Sequence, residues 1–132
     1  MNPSIINFPK ISDVRGNLTF IQFPENVPFK IERVFWTYDI PGGEKRGGHA
    51  YKEQHEVIVA LSGSFDVVIM DADESIQKFS LNRSYHGLYL PPMTWRHMEN
   101  FSTNALGLHL SSKVYSETEY IRDFLEYKIL VK

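Results

Sequence analysis

Residues 43–63 read GEKRGGHAYKEQHEVIVALSG, and this stretch decides the fold. Its glycine and polar residues follow the spacing Gly43-x5-His49-x-Tyr51-x4-Glu56-x6-Gly63. Successive side chains of a β-strand point to opposite faces, so His49 and Tyr51 face the same side and converge on one point. Glycine permits the backbone conformations of tight turns, which places a turn at each end of the stretch. We therefore expect a strand that carries both side chains into the interior of a β-protein.

A second segment, residues 87–97, reads GLYLPPMTWRH. In their order and separation, the two segments resemble the paired motifs of the cupins. The first cupin motif has a second histidine where this chain has Tyr51. The second motif differs here in one glycine spacing and in Thr94, which replaces a glycine. The resemblance implies an all-β cupin double-stranded β-helix, or jelly roll.

The surrounding sequence is rich in short β-type runs. Alternation and β-branching predict strands at residues 4–8, 56–61 and 65–71, with further short runs up to residue 110. Short strands and turns at this spacing are typical of a sandwich or barrel. Near the end, Ser116 and Glu119 form a capping-box pattern that precedes apolar residues at helical spacing. We predict a short C-terminal helix over about residues 117–127, lying on the β-core of one domain.

The composition excludes several classes of protein. The chain has 132 residues, the size of a single domain, and it has no cysteine for disulfides, thiol catalysis or cysteine-ligated zinc. A formal net charge of −2 offers no basic field to a nucleic acid or an anionic membrane. The apolar runs are too short to span a bilayer, and no signal-peptide pattern opens the sequence. We expect a cytoplasmic protein that binds neither nucleic acid nor membrane.

A sharper resemblance runs from residue 7 to about residue 124. It is carried by RGNL at 15–18, IERV at 31–34, RGGHAYK at 46–52, GLYLPP at 87–92 and ETEYIR at 117–122. These segments resemble the dTDP-4-oxo-6-deoxyhexose 3,4-ketoisomerases, the WxcM-like sugar isomerases of the cupin superfamily. The resemblance implies that the ketone of dTDP-4-oxo-6-deoxyglucose moves from C4 to C3, in deoxysugar and polysaccharide biosynthesis, without a metal or redox cofactor.

The family signature RGxHAHK also implies catalytic roles. His49 matches the leading candidate for the base that moves a proton between the two sugar carbons through an enediol. A histidine, with an ordinary pKa of about 6.5, can both take and return that proton near neutrality. Tyr51 stands at the second histidine, and its ordinary pKa of about 10 makes it a poor proton carrier but a good hydrogen-bonding partner. Phe35 and Trp36 stand where the family often has two tyrosines.

Further residues are expected to bind the substrate. Arg15 and Arg46 flank glycines at family-matched positions, and guanidinium groups bind a pyrophosphate through paired hydrogen bonds. Lys52 matches the last residue of the central signature. Trp95 would either form a wall of the substrate site or pack in the barrel. Arg96 takes the position at which some family members have a histidine.

Three other functions and one assembly stay open from the sequence. His49, Glu56 and His97 would be a ligand set for a divalent metal, which would make the chain a metal-dependent cupin enzyme, and a related dTDP-sugar epimerase is the other enzymatic alternative. Tyr51, in place of a proton-carrying histidine, also fits a non-catalytic nucleotide-sugar binding protein. The resemblance further implies a homodimer that exchanges the N-terminal strand at residues 4–8.

Overall fold

The computed structural model describes residues 2–132, which form strands β1–β12, one 3-10 helix and helix α1. The bounds are β1 Ser4–Asn7, β2 Lys10–Asp13, β3 Gly16–Thr19, β4 Arg33–Thr37, β5 Arg46–Tyr51, β6 Glu56–Ser62, β7 Phe65–Met70, β8 Ile76–Leu81, β9 His86–Leu90, β10 Trp95–Glu99, β11 Leu106–Ser111, the 3-10 helix Glu117–Glu119, β12 Tyr120–Ile121 and α1 Phe124–Leu130. Among the helices of residues 2–132, none is long and apolar enough to cross a membrane.

Two five-stranded sheets make up the body of the protein. The first sheet has the order β1-β9-β6-β11-β4, the second has the order β12-β5-β10-β7-β8, and β2 and β3 form a separate hairpin. Neighbouring strands pair antiparallel and are mostly distant in the sequence, so the chain passes repeatedly from one sheet to the other. This is a jelly roll with a short C-terminal helix, as predicted.

Strand β6 is buried on both faces, which explains its sequence pattern. Ile58 and Ala60 are buried between the two sheets, whereas Val57 and Val59 are buried on the outer face, beneath a segment that contains Phe29. Because both faces are covered, the strand is an almost continuous apolar run. Gly63 ends β6 with a φ of +66°, and a Cβ there would lie 2.9 Å from the Cα of Ala105. Glycine is therefore required at this turn.

The C-terminal segment differs from the helix predicted over residues 117–127. The Glu119 carboxylate does not cap a helix. It accepts the backbone N–H of Glu53, and that of Gln54 at 2.8 Å, which ties the segment to the end of β5. The next two residues pair with β5 as strand β12, and helix α1 begins only after Asp123, whose carboxylate caps its first turn. Long-range hydrogen bonds to backbone N–H groups therefore override the local capping pattern.

At the N-terminus, β1 pairs with β9 of the same chain, with Ser4 opposite Tyr89 and Asn7 opposite His86. The exchange of this strand between two subunits stays a prediction.

On the opposite side of the molecule, α1 covers the outer face of the second sheet, where Trp95 packs against Phe124.

Candidate active site

A cavity of about 380 Å³ lies between the two sheets. Strands β5 and β10 of the second sheet form one wall, and β4, β6 and β11 of the first sheet form the other. The lining side chains are Phe35, Thr37, Arg46, Gly47, His49, Tyr51, Glu56, Ile58, Arg96, Met98, His109, Tyr120 and Arg122.

His49 faces this cavity from β5, packed edge-on against two aromatic rings. Its ring centroid lies 4.7 Å from that of Tyr51 and 5.1 Å from that of Tyr120. The Nε2 atom of His49 is buried and has no hydrogen-bond partner in the described structure. A buried polar atom left unpaired costs free energy, so such atoms are rare and mark sites that bind or react.

Burial, and after it the positive charge of Arg96, lower the pKa of His49 from its ordinary value to about 3. The imidazole is therefore neutral at pH 7. A neutral histidine has a lone pair that is free to accept a proton, which is the state that a general base needs before the reaction.

Tyr51 lies two residues further along β5, also inside. Its hydroxyl donates to the Tyr120 hydroxyl at 3.3 Å, and the Arg96 guanidinium lies 4.7 Å from its ring centroid. Burial raises the pKa of Tyr51 well above its ordinary value, with the nearby Glu56 charge adding to the shift. Tyr51 therefore keeps its proton and can donate a hydrogen bond, but it cannot act as a base near neutrality.

A buried ion pair joins the two walls. Arg96 of β10 donates to Glu56 of β6 at 2.6 Å and to the carbonyl of Thr94 at 2.8 Å. The Arg96 and Glu56 side chains are only 3% and 2% exposed. Burial alone would raise the pKa of Glu56, but Arg96 and the nearby His109 outweigh it and hold that pKa well below its usual range. Glu56 is therefore ionised throughout the neutral range.

The three residues of the alternative metal ligand set do not lie around one point. His97 lies beside Arg96 on β10 and so faces the opposite side, where its Nε2 is 2.7 Å from Glu99. Glu56 is already paired with Arg96. Within residues 2–132, no group of three His, Cys, Asp or Glu side chains is placed to hold a metal ion. The predicted set of His49, Glu56 and His97 is therefore wrong as a set of ligands to one ion.

Of the other predicted binding residues, some line the cavity and others lie away from it. Arg46, at the start of β5, lines the cavity. Lys52 follows Tyr51 and is exposed outside the lining, because adjacent residues of an extended chain point to opposite sides. Trp95 is 8% exposed and packs against α1 instead of forming a cavity wall. Its indole belongs to the core under the helix, which corrects the wall alternative.

Arg15 lies at the tip of the β2–β3 hairpin, outside the cavity lining of this chain. Its guanidinium is 86% exposed and pairs with Asp13 at 2.7 Å. A single chain therefore does not bring Arg15 to the site, and its predicted role in binding would require a second subunit.

Other lining residues were not assigned from the sequence. Tyr120 and Arg122 reach the cavity from the C-terminal segment, with the Arg122 guanidinium 4.1 Å from the Tyr120 ring centroid. His109 lines the cavity from β11 and stacks on Phe35, with the two ring centroids 4.4 Å apart. The only signal for His109 was a lone histidine in an apolar strand, and such a residue is more often a core histidine.

A family model described as "FdtA: WxcM-like, C-terminal" matches residues 1–132. The TDP-4-oxo-6-deoxy-alpha-D-glucose-3,4-oxoisomerase of Aneurinibacillus thermoaerophilus is 41% identical over 128 residues, covering 97% of this chain and 91% of the relative.

Solved structures show the same similarity. A 3,4-ketoisomerase from Helicobacter canadensis is 37% identical, with a TM-score of 0.94 over 99% of this chain and 98% of that one. A mutant of the 3,4-ketoisomerase QdtA from Thermoanaerobacterium thermosaccharolyticum, in complex with TDP-4-keto-6-deoxyglucose, is 32% identical, with a TM-score of 0.94 over 98% of this chain and 93% of that one.

Proposed function

Because this chain belongs to the FdtA, WxcM-like family over its whole length, we propose that it is a nucleotide-sugar 3,4-ketoisomerase acting on a TDP-linked 4-oxo-6-deoxyhexose. The family is the one predicted from the sequence. The observation that carries the proposal is His49, a neutral imidazole with an unpaired Nε2 that faces the cavity between the two sheets.

The reaction needs a general base and a hydrogen-bond donor that stabilises the enediolate oxygen. A base removes the C3 proton, the electron pair of that bond forms the C3=C4 double bond, and the C4 carbonyl oxygen becomes an enediolate oxygen. Arg96 and the Tyr51 hydroxyl line the same cavity as His49 and would stabilise that developing negative charge. Transfer of the C3 hydroxyl proton to the oxygen on C4, together with return of a proton to the C4 carbon, completes the isomerisation.

Arg46 is the proposed contact for the pyrophosphate. It lines the cavity, and a guanidinium binds phosphate oxygens through charge-assisted hydrogen bonds. We expect Arg46→Ala to weaken TDP binding by about 1.5–3 kcal/mol in calorimetry. Lys78→Ala, which removes a half-exposed cation on β8 outside the cavity lining, is the control and should leave affinity unchanged. Unchanged affinity of the Arg46 variant would remove this assignment.

We also propose a homodimer. Apolar side chains are exposed on edge strand β4 and on the β2–β3 hairpin, where Trp36 is 57% exposed and Leu18 is 58% exposed. A second copy would cover such surface, and it would allow Arg15 to reach the partner's cavity. Light scattering that gives a clean monomer would contradict this assembly. The cytoplasmic location likewise stays a prediction.

Incubation of the protein with TDP-4-oxo-6-deoxyglucose in deuterated water tests the activity directly. We expect NMR to show deuterium at C3 of the substrate and accumulation of the 3-oxo sugar. Binding of TDP with neither exchange nor product would instead favour the non-catalytic binding protein, the alternative that Tyr51 keeps open because it replaces a proton-carrying histidine.

A further inference from the structure

The cavity wall formed by β4, β6 and β11 holds a histidine and a carboxylate to which the proposed reaction assigns no proton transfer. His109 Nδ1 lies 3.4 Å from Glu56 Oε2, and its Nε2 lies 3.4 Å from the Thr37 hydroxyl. The first distance is long for a hydrogen bond, and Nδ1 has no other polar partner in the described structure. His109 and Glu56 are 3% and 2% exposed, and both line the cavity.

Strand register creates this arrangement. His109 on β11 lies opposite Phe35 of β4 on one side and Ile58 of β6 on the other. Its ring stacks on Phe35 with an interplanar angle of 7°, which holds the imidazole in one orientation. His49 lines the same cavity from the other sheet. The substrate site therefore lies between two histidines on facing walls.

The isomerisation moves two kinds of proton. One leaves C3 and one arrives at C4, and both are bound to carbon. A further proton leaves the C3 hydroxyl, so that its oxygen becomes the new carbonyl, and one reaches the oxygen on C4, which becomes the new hydroxyl. Without the oxygen-to-oxygen transfer, the enediolate made by removal of the C3 proton can only return to the starting sugar.

We propose that His109, oriented by Glu56, carries the oxygen-bound proton, taking it from the C3 hydroxyl and delivering it to the oxygen on C4, while His49 moves the proton between the carbons. This assignment rests on the proposed ketoisomerase function. Atoms and electrons balance, because each histidine ends the cycle in the protonation state in which it began.

The environments of the two imidazole rings support this division of proton transfers between His109 and His49. A carboxylate beside one ring nitrogen favours the tautomer with its proton on that nitrogen, and it stabilises the imidazolium that forms in transit. Glu56 stands in this position toward His109 Nδ1, which leaves Nε2 on the Thr37 side to exchange protons. Tyr51 retains its proton and cannot serve as the second carrier.

A purely structural role would make His109 a core residue that stacks on Phe35. A core histidine is not expected to line a cavity or to face a buried carboxylate. Here the side chain contributes to the cavity surface, and its Nδ1 faces the buried Glu56 carboxylate at 3.4 Å. Both features fit a ring that exchanges protons with a bound molecule.

The test compares deuterium exchange at C3 with net isomerisation in the same His109→Gln protein. We expect exchange at a rate close to wild type, because His49 still forms the enediolate, and isomerisation lower by roughly 10²–10⁴-fold. His97→Gln, a histidine on the outer side of β10, is the matched control and should leave both rates unchanged. If His109→Gln fails to fold by circular dichroism, His109→Asn is measured in the same way.

Each outcome has one meaning. Equal losses of exchange and isomerisation, or no loss of either, would overturn the role of His109 while leaving the ketoisomerase function intact. A wild-type protein that neither exchanges C3 nor forms product would instead overturn the proposed function, and the role of His109 with it.

Discussion

The wall of the cavity formed by β5 and β10 differs in origin from the wall formed by β4, β6 and β11. On the first wall, His49 and Tyr51 are two residues apart on one strand, and their shared orientation follows from the period of the strand. On the second wall, Glu56 and His109 come from strands that are distant in the sequence. Local sequence determines the face of a strand on which a side chain lies, whereas sheet register determines its neighbours across the sheet.

The two walls also differ in charge. His49 is neutral and has no hydrogen-bond partner at Nε2. Glu56, on the other wall, is ionised and paired with Arg96, which extends from the first wall. The ion pair therefore links the sheets, and it places a positive charge near the neutral histidine. Four substitutions or conditions test this contrast.

The largest effect is expected from His49→Asn. Asparagine keeps a polar group of similar reach, so the fold and TDP affinity should persist, but an amide cannot accept a proton near neutrality. We expect C3 exchange to fall by roughly 10²–10⁴-fold, measured by NMR in deuterated water. Retention of most exchange would show that the base lies on the other wall.

Arg96→Met removes the link between the walls and leaves Glu56 charged and buried without its partner. Loss of one partner from a buried ion pair costs about 3–5 kcal/mol, which urea denaturation would measure. Lys78→Met is the matched control. It breaks a half-exposed contact with Glu99, and such pairs contribute about 0–1 kcal/mol. Equal, small losses in the two variants would contradict the linking role of the buried pair.

The acid dependence of stability tests the neutral state of His49. The pKa of His49 is about 3 in the folded chain and ordinarily 6.5, so the unfolded chain takes up the proton first as pH falls. The corresponding stability is present above about pH 6.5 and is lost as pH falls toward about 3. We expect the free energy of unfolding to drop more between pH 7 and 5 in wild type than in His49→Asn. Parallel pH dependences would contradict the lowered pKa.

Tyr51→Phe should have the smallest effect. It removes the hydrogen bond to the Tyr120 hydroxyl and one donor in the cavity, while the ring remains. One neutral hydrogen bond contributes about 0.5–1.5 kcal/mol, so kcat should fall by about two- to tenfold. If the Tyr51→Phe enzyme is inactive while the His49→Asn enzyme stays active, Tyr51 and not His49 carries the proton on this wall.

Several placements were predictable because they depend on one strand. The convergence of His49 and Tyr51 follows from their spacing, and the burial of both faces of β6 follows from its β-branched run. The same alternation puts Arg96 inside and Trp95 outside once the phase of β10 is known. The sequence did not reveal that phase, and so Trp95 remained a candidate wall residue and His97 a candidate ligand.

Residue identities and their local periods determined by themselves the family, the jelly roll and the strand that carries His49. Tertiary structure alone decided that Glu119 would bind the N–H groups at the end of β5 instead of capping a helix. It also decided that Glu56 would lie between Arg96 and His109. The physical reason is that the environment of a buried charge or unpaired N–H group depends on sheet register and on contacts between distant segments, which have no local signature.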